Sequence, residues 1–446
     1  MNWKQTLFWS FSAAAIFYYF LLFGVFVFVG QEEMQLFIPE WWYIREFLFQ
    51  PGGFCAVAGQ WIIQYYRQPM SAVVLHTVLL VGCGFMVYRI LRCFSDKTYL
   101  LFLSLLPVLY LVKMSIHGEY LVDGTVGVVL MLLALSVSLK VRRAGSIAGY
   151  GIASTLFLCG LTGLLSVCYA FLYTLLALLR YKTSRQRLAA AACLIPALFI
   201  YLFSGWLGIP VPLSDGWMPE AYLEIQRLPH YYMYRVWTFF TLSIVGVALF
   251  ARFVPVIGEK SKWMDRVALV VCLITALVSI RFCLPEPWHA QRMMLDELSF
   301  LARERQWDAI IDKYRGKQIY NYVSLNYLNM SLAHKGELAD RMFTFDQKSL
   351  CADWNQTFYM DRLLSDVHFL VGDVSLSESF AMDGFTQAKR KGSARMMQRF
   401  VQVCLIRGEV ALAKKYLDLL AAMPFYKDWA CSYATYLVHP DLMDKD

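Results

Sequence analysis

An all-α membrane protein with a helical tail is the fold class this sequence predicts, and three observations predict it. The 446 residues are 59% hydrophobic, with a mean hydropathy of +0.47. A soluble domain is nearer 45–50% apolar. The long apolar runs are confined to residues 1–284; residues 285–446 carry closely spaced charges and no run near the roughly 18 residues a span requires. Within that tail, a Gly-acid-aliphatic triplet recurs at Gly336, Gly372 and Gly408, with 36 residues between successive glycines. The division expected is 1–284 for a transmembrane domain and 285–446 for a helical-repeat domain.

About nine spans are expected, at 7–30, 70–90, 98–116, 121–139, 146–162, 164–180, 188–207, 236–257 and 266–284. One Lys precedes the first apolar run and no small-residue cleavage site follows it, the pattern of a retained span. The charge-free stretch 146–180 is the ambiguous one, since a single long helix or a hairpin turning at Gly160–Gly163 would fit it. The hairpin places fifteen basic residues, among them Arg89, Arg92, Lys140, Arg180 and Arg187, on one side and five on the other up to residue 235. The positive-inside rule then sets the N-terminus in the cytoplasm and the tail outside, which in a bacterium is the periplasmic face of the inner membrane.

Between the first two spans, residues 31–69 read as two interfacial helices interrupted at Pro51-Gly52-Gly53. Phe54, Val57, Ala58, Trp61, Ile62 and Tyr65 make one apolar stripe, with Gly59, Gln60 and Gln64 away from it. Trp and Tyr favour the headgroup layer, where one end of the ring is apolar and the other wet. A second long outer loop is expected at 208–235.

In the tail, Gly336, Gly372 and Gly408 stand where a helix ends in the left-handed conformation that other residues resist. The following acid sits at the positive end of the next helix. Gln306-Trp307-Asp308 looks like an earlier turn of the same kind, while Ser375–Ser379 is a poor helix start in the middle unit. A period in the mid-thirties with two helices per unit resembles tetratricopeptide arrays. Residues 288–446 are accordingly expected to fold alone.

Glu32 and Glu33, at the outer exit of the first span, are the candidate catalytic residues. They could serve as a general base or as oxygen ligands suited to Mg²⁺ or Mn²⁺. A polar stop that fixes the helix in the membrane is the simpler account of the same pair. Candidate substrate-binding residues are Lys113, His117 and Glu119, ionisable groups at the ends of apolar spans, and Arg227, His230 and Arg235, whose guanidinium forks suit phosphate. Mutual ion pairing and interface anchoring account for these residues equally well. The eleven cysteines show no C-x-x-C and no Cys/His spacing suited to zinc, and read as small buried hydrophobes. No phosphate-loop, zinc-protease or serine-hydrolase motif is present. The net charge of +8 lies largely in short loops beside apolar runs, so it argues for topology and not for nucleic acid.

The layout, a first span ending in Gln-Glu-Glu-x-Gln-Leu-Phe, then Pro-Gly-Gly, about nine spans and a repeat tail, resembles an uncharacterised family of bacterial polytopic membrane proteins. It is also similar to the C-type glycosyltransferases, which take sugars from polyprenyl-phosphate donors. That resemblance implies a catalytic acid at Glu32 or Glu33, although the superfamily usually shows at least one Asp there and no second motif is found. Two functions are expected on these grounds. One is a glycosyltransferase moving a sugar from a polyprenyl-phosphate donor to an acceptor on the outer face. The other is a non-enzymatic envelope scaffold whose repeats bind a protein partner. A transporter ranks behind both, because charge within the spans is sparse.

Overall fold

The chain forms α-helices joined by short turns, with no strand among the described residues. The computed structural model describes residues 3–445 except 97–98, 119, 204–205, 207–239, 253–269, 286, 320, 348–357 and several positions between 271 and 282. The outer loop 208–235 and much of the spans expected at 236–257 and 266–284 thus lie outside the described residues.

Two units emerge, and the cut between them is not a single one. The first is Met1–Leu22, Trp42–Ile62 and Val73–Pro285; the second is Phe23–Trp41, Ile63–Ala72 and Glu286–Asp446. The last of these cuts falls between Pro285 and Glu286. The segments 23–41 and 63–72, expected within the membrane domain and its interfacial loop, instead belong to the tail's unit.

In the first unit, among the described residues, four helices are long and apolar enough to cross a membrane: α1 (Trp3–Phe23), α5 (Pro69–Leu91), α8 (Ala144–Thr162) and α10 (Ser184–Leu202). Shorter apolar helices are α6 (Leu100–Ser115), α7 (Val122–Ser138), α9 (Leu165–Arg180) and α11 (Phe240–Arg252). Large apolar side chains such as Leu7, Phe11, Leu156 and Phe157 point outward. Helices apolar on both their packed and exposed faces require a non-aqueous surrounding. The stretch 146–180 breaks at Gly163, where φ is 62°, a left-handed value that a Cβ would resist. The two halves then pack side by side. Tyr169 of α9 shares a 2.6 Å hydrogen bond with Ser138 of α7.

The stretch expected to be interfacial forms α3 (Trp41–Leu48) and α4 (Gly53–Ile63), the latter continued by a 3-10 turn, Gln64–Arg67. The apolar stripe of α4 is its outward face: Phe54 and Trp61 are exposed, whereas Gly59 and Gln60 are buried. Gln60 accepts a 2.8 Å hydrogen bond from Tyr43 of α3. A Cβ on Gly59 would fall 2.9 Å from the Asp123 backbone nitrogen at the start of α7, so only glycine admits that approach. A helix with polar residues inward and Trp outward has the polarity of a surface-lying membrane helix.

The second unit holds α2 (Val25–Glu33), α12 (Pro287–Arg303), α13 (Trp307–Tyr314), α14 (Tyr322–His334), α15 (Leu338–Arg341), α16 (Phe358–Leu370), α17 (Val374–Gln387), α18 (Ala394–Ile406), α19 (Val410–Ala421) and α20 (Lys427–Val438). Four turns, at α12–α13, α14–α15, α16–α17 and α18–α19, have the same construction. Their left-handed residues are Arg305, Gly336, Gly372 and Gly408, with φ of 54°, 71°, 83° and 72°. In each turn the next residue donates its N–H to the carbonyl five places earlier, from Gln306 to Leu301, Glu337 to Leu332, Asp373 to His368 and Glu409 to Cys404, at 2.8–2.9 Å. That bond is the mark of a Schellman cap.

The acid after glycine caps the next helix in one case only, where Asp373 accepts from the Leu376 N–H at 3.1 Å. That cap corrects the weak helix start expected at Ser375–Ser379, because α17 runs unbroken through those serines. Ser377 gives and takes hydrogen bonds with Ser365 of α16 at 2.8 and 3.0 Å, and the small side chains let the two backbones approach. Leu298, Ile310, Leu328, Leu332 and Leu363 form the core of the leading pairs.

Candidate functional site

The acidic pair lies in the second unit, at the last turn of α2, and is buried: Glu32 is 3% and Glu33 1% exposed. Gly30 sets the approach, since a Cβ there would stand 2.3 Å from Asp296 Oδ1 of α12. With α2 pressed on α12, Glu33 Oε1 accepts from Nη1 of Arg303 at 3.0 Å and of Arg395 at 2.9 Å. Its Oε2 accepts from Arg362 Nη1. Three helices of the tail, α12, α16 and α18, thus each direct one arginine at a single carboxylate.

A buried charge persists only where it is paired and hydrogen-bonded. Burial alone would raise the Glu33 pKa, but Arg395, Arg362 and Arg303 together outweigh it and hold the carboxyl well below the usual range. Glu32 differs. Its Oε1 accepts from the Tyr426 hydroxyl at 2.7 Å, while Oε2 has no hydrogen-bond partner and lies 4.0 Å from Arg303 Nη1. Burial raises its pKa, opposed by Arg303, Arg67 and the Tyr426 bond. Asp296 is also buried; neither oxygen has a hydrogen-bond partner and Arg362 is 3.9 Å away. Burial, partly offset by Arg362 and Arg292, pushes its pKa up to about 7.

Beside this cluster, within the same unit, opens a cavity of about 800 Å³. Its walls carry Arg67, Arg303, Arg305, Arg395 and Arg399, with Asp366 the one acid among its lining residues. Asp366 accepts from Arg395 and from Arg399 at 2.6 Å each. Aromatic rings complete the walls. Trp307 stacks on His334 with centroids 4.2 Å apart, and Trp429 on Tyr433 at 4.0 Å.

With both Glu33 oxygens held by guanidinium groups, the pair is poorly placed to hold the Mg²⁺ or Mn²⁺ expected of it. Among the described residues no group of three or more His, Cys, Asp or Glu could hold a metal ion. Lys113 and His117 are half-buried at the end of α6 and in the turn after it, in the first unit. Glu119, Arg227, His230 and Arg235 lie outside the described residues. The structure brings Glu32 and Glu33 together with Arg67, Arg303, Arg362, Arg395 and Tyr426, none of which sequence reasoning linked to that pair. A signal existed. Arg395 and Arg399 stand four apart beside Met396, Phe400 and Val403, which places arginines next to the core-facing stripe of a helix.

The chain belongs to the family of unknown function DUF6057, whose model matches residues 1–446. The match takes in both the apolar helices and the tail that meets Glu33, so the two units are parts of one family architecture. No curated protein and no solved structure matches the chain.

Proposed function

We propose that this DUF6057 chain is a non-enzymatic membrane scaffold whose helical-repeat unit recognises a partner through its cationic cavity. The observation that carries this reading is Glu33, whose two oxygens are held by arginines from three helices. A general base needs a pKa near the working pH and a free lone pair, and Glu33 has neither. What the arrangement can do chemically is lock α2 into the repeat unit. The adjoining cavity falls within the 300–1,000 Å³ usual for ligand sites.

The finer architecture belongs to the same proposal. The chain is a nine-span protein of a bacterial inner membrane, with a cytoplasmic N-terminus and a tetratricopeptide-like array in the periplasm. The fifteen-to-five asymmetry of basic residues supports it. Reporter fusions after Lys97, Arg187 and Lys262 should read cytoplasmic and one after Asp446 periplasmic; a cytoplasmic signal at Asp446 contradicts this topology.

One observation favours the second reading, a transferase using a polyprenyl-phosphate sugar. Glu32 has an oxygen without a hydrogen-bond partner and a raised pKa, both of which suit a base. Rescue of a deletion strain separates the two. Under the scaffold reading Glu32→Gln rescues, while Tyr433→Ala in the cavity wall fails at normal membrane yield. Under the transferase reading Glu32→Gln fails at normal yield.

A further inference from the structure

The cavity of the second unit has more cationic groups than its acids neutralise. Arg67, Arg303, Arg305, Arg395 and Arg399 on its wall, with Arg362 beside them, face five carboxyls, those of Glu32, Glu33, Asp296, Glu304 and Asp366. The excess is visible atom by atom. Arg67 Nη1, Arg303 Nη2 and Arg399 Nη1 are withdrawn from solvent with no hydrogen-bond partner, and the Arg303 side chain is nine-tenths buried. Orphaned guanidinium nitrogens of this kind are uncommon in native structures and point to a missing acceptor.

A second, independent observation concerns Arg305. Three of the four repeat turns place glycine at the left-handed position; the first places Arg305, at φ 54°. A side chain resists that conformation. Arg305 forms no ion pair among the described residues, yet it stands on the cavity wall. Strain kept at a position where glycine is used elsewhere points to a role for the side chain.

We propose that this cavity binds a phosphate monoester carried on a ring, held by Arg67, Arg303, Arg305 and Arg399 and stacked between Trp307 and Trp429. The site deepens the recognition reading given above and names the chemistry of what is recognised. Five arginines on a wall with one acid suit the two charges of a phosphate monoester better than the single charge of a carboxylate. The stacked pairs Trp307–His334 and Trp429–Tyr433 supply flat apolar faces for a ring. Burial, with Arg305 close by, lowers the His334 pKa, so that its imidazole is neutral at pH 7 and can accept a hydrogen bond from a ring hydroxyl.

The test is calorimetric titration of the full chain, in phosphatidylcholine nanodiscs, with phenyl phosphate, benzoate and phenol. Saturable binding of phenyl phosphate, at least about tenfold tighter than benzoate and absent for phenol, is the expected result. Arg399→Lys keeps an ammonium for Asp366 but removes the forked donor, and should weaken phenyl phosphate about tenfold. Arg305→Gly is the sharper variant. It should raise the melting temperature by a few degrees, because glycine relieves the left-handed strain, and weaken phenyl phosphate about tenfold. Loss of the heat in discs carrying phosphatidylinositol 4-phosphate, whose monoester sits on a ring, would assign the group to a lipid, and undiminished heat to a soluble ester; either supports the site. No saturable binding by well-folded wild-type protein overturns it, as does unchanged affinity in both variants. The recognition reading is judged separately, by the rescue experiment with Glu32→Gln and Tyr433→Ala.

Discussion

Glu33 sits where an isolated carboxylate would be expelled, and three arginines keep it there as an anion. Removing one member of such a cluster leaves buried charge uncompensated. Glu33→Gln should therefore cost on the order of 3–5 kcal/mol, read as a fall in melting temperature in detergent. Glu32→Gln should cost under about 1 kcal/mol, since the amide oxygen still accepts from Tyr426 and burial already disfavours the charge. The two acids beside Arg362 respond oppositely to pH. The folded-state pKa of Glu33 lies below its unfolded value, so its contribution is complete above about pH 4.3 and is lost as pH falls through the folded pKa. Asp296, raised to about 7, binds a proton more tightly folded than unfolded. Its penalty is absent below about pH 4 and grows to roughly 4 kcal/mol by pH 7. Asp296→Asn should remove that decline and raise the melting temperature at pH 7 more than at pH 4; a parallel shift at both would contradict the assignment.

At the scale of the element, the turns of the tail were legible because glycine at a fixed spacing has few other uses. Gly336, Gly372 and Gly408 are left-handed with the same cap. Gly408→Val should cost about 1–2 kcal/mol, as a β-branched side chain at φ 72° must be forced there. The turn at Arg305 was legible only from Trp307-Asp308 after it, because arginine hides the glycine pattern. Helical spacing of apolar positions revealed α4 but not which of its faces is inward; Gln60 is buried and Trp61 exposed, the reverse of the usual sense in water. The arginine partners of Glu33 were not legible. They come from residues 303, 362 and 395, and no local period connects those positions to residue 33.

At the scale of the molecule, the sequence separates an apolar part from a charged tail because lipid and water select different residues. It does not reveal that 23–41 and 63–72 belong with the tail, since α2 continues the apolar run of the first span up to Gly30. This alters the expectation that residues 288–446 fold alone. Without α2 the fragment keeps Arg303, Arg362 and Arg395 but not Glu33. It should show helical circular dichroism with a broad, low melting transition, and Arg362→Met should sharpen and raise it; a sharp transition in the unmodified fragment would mean that Glu33 is dispensable to the unit.

On the proposed reading the Glu33 carboxylate holds structure together and takes no part in chemistry. The most direct test is the pair of variants Glu33→Met and Glu33→Met/Arg362→Met, compared for melting temperature and for rescue of a deletion strain. Replacing a buried ion pair by apolar groups of similar volume is often neutral, whereas breaking it is costly. The single variant should lose both stability and rescue, and the double variant should recover both. A double variant that is folded at normal membrane yield and still fails to rescue would show that the carboxylate itself is required.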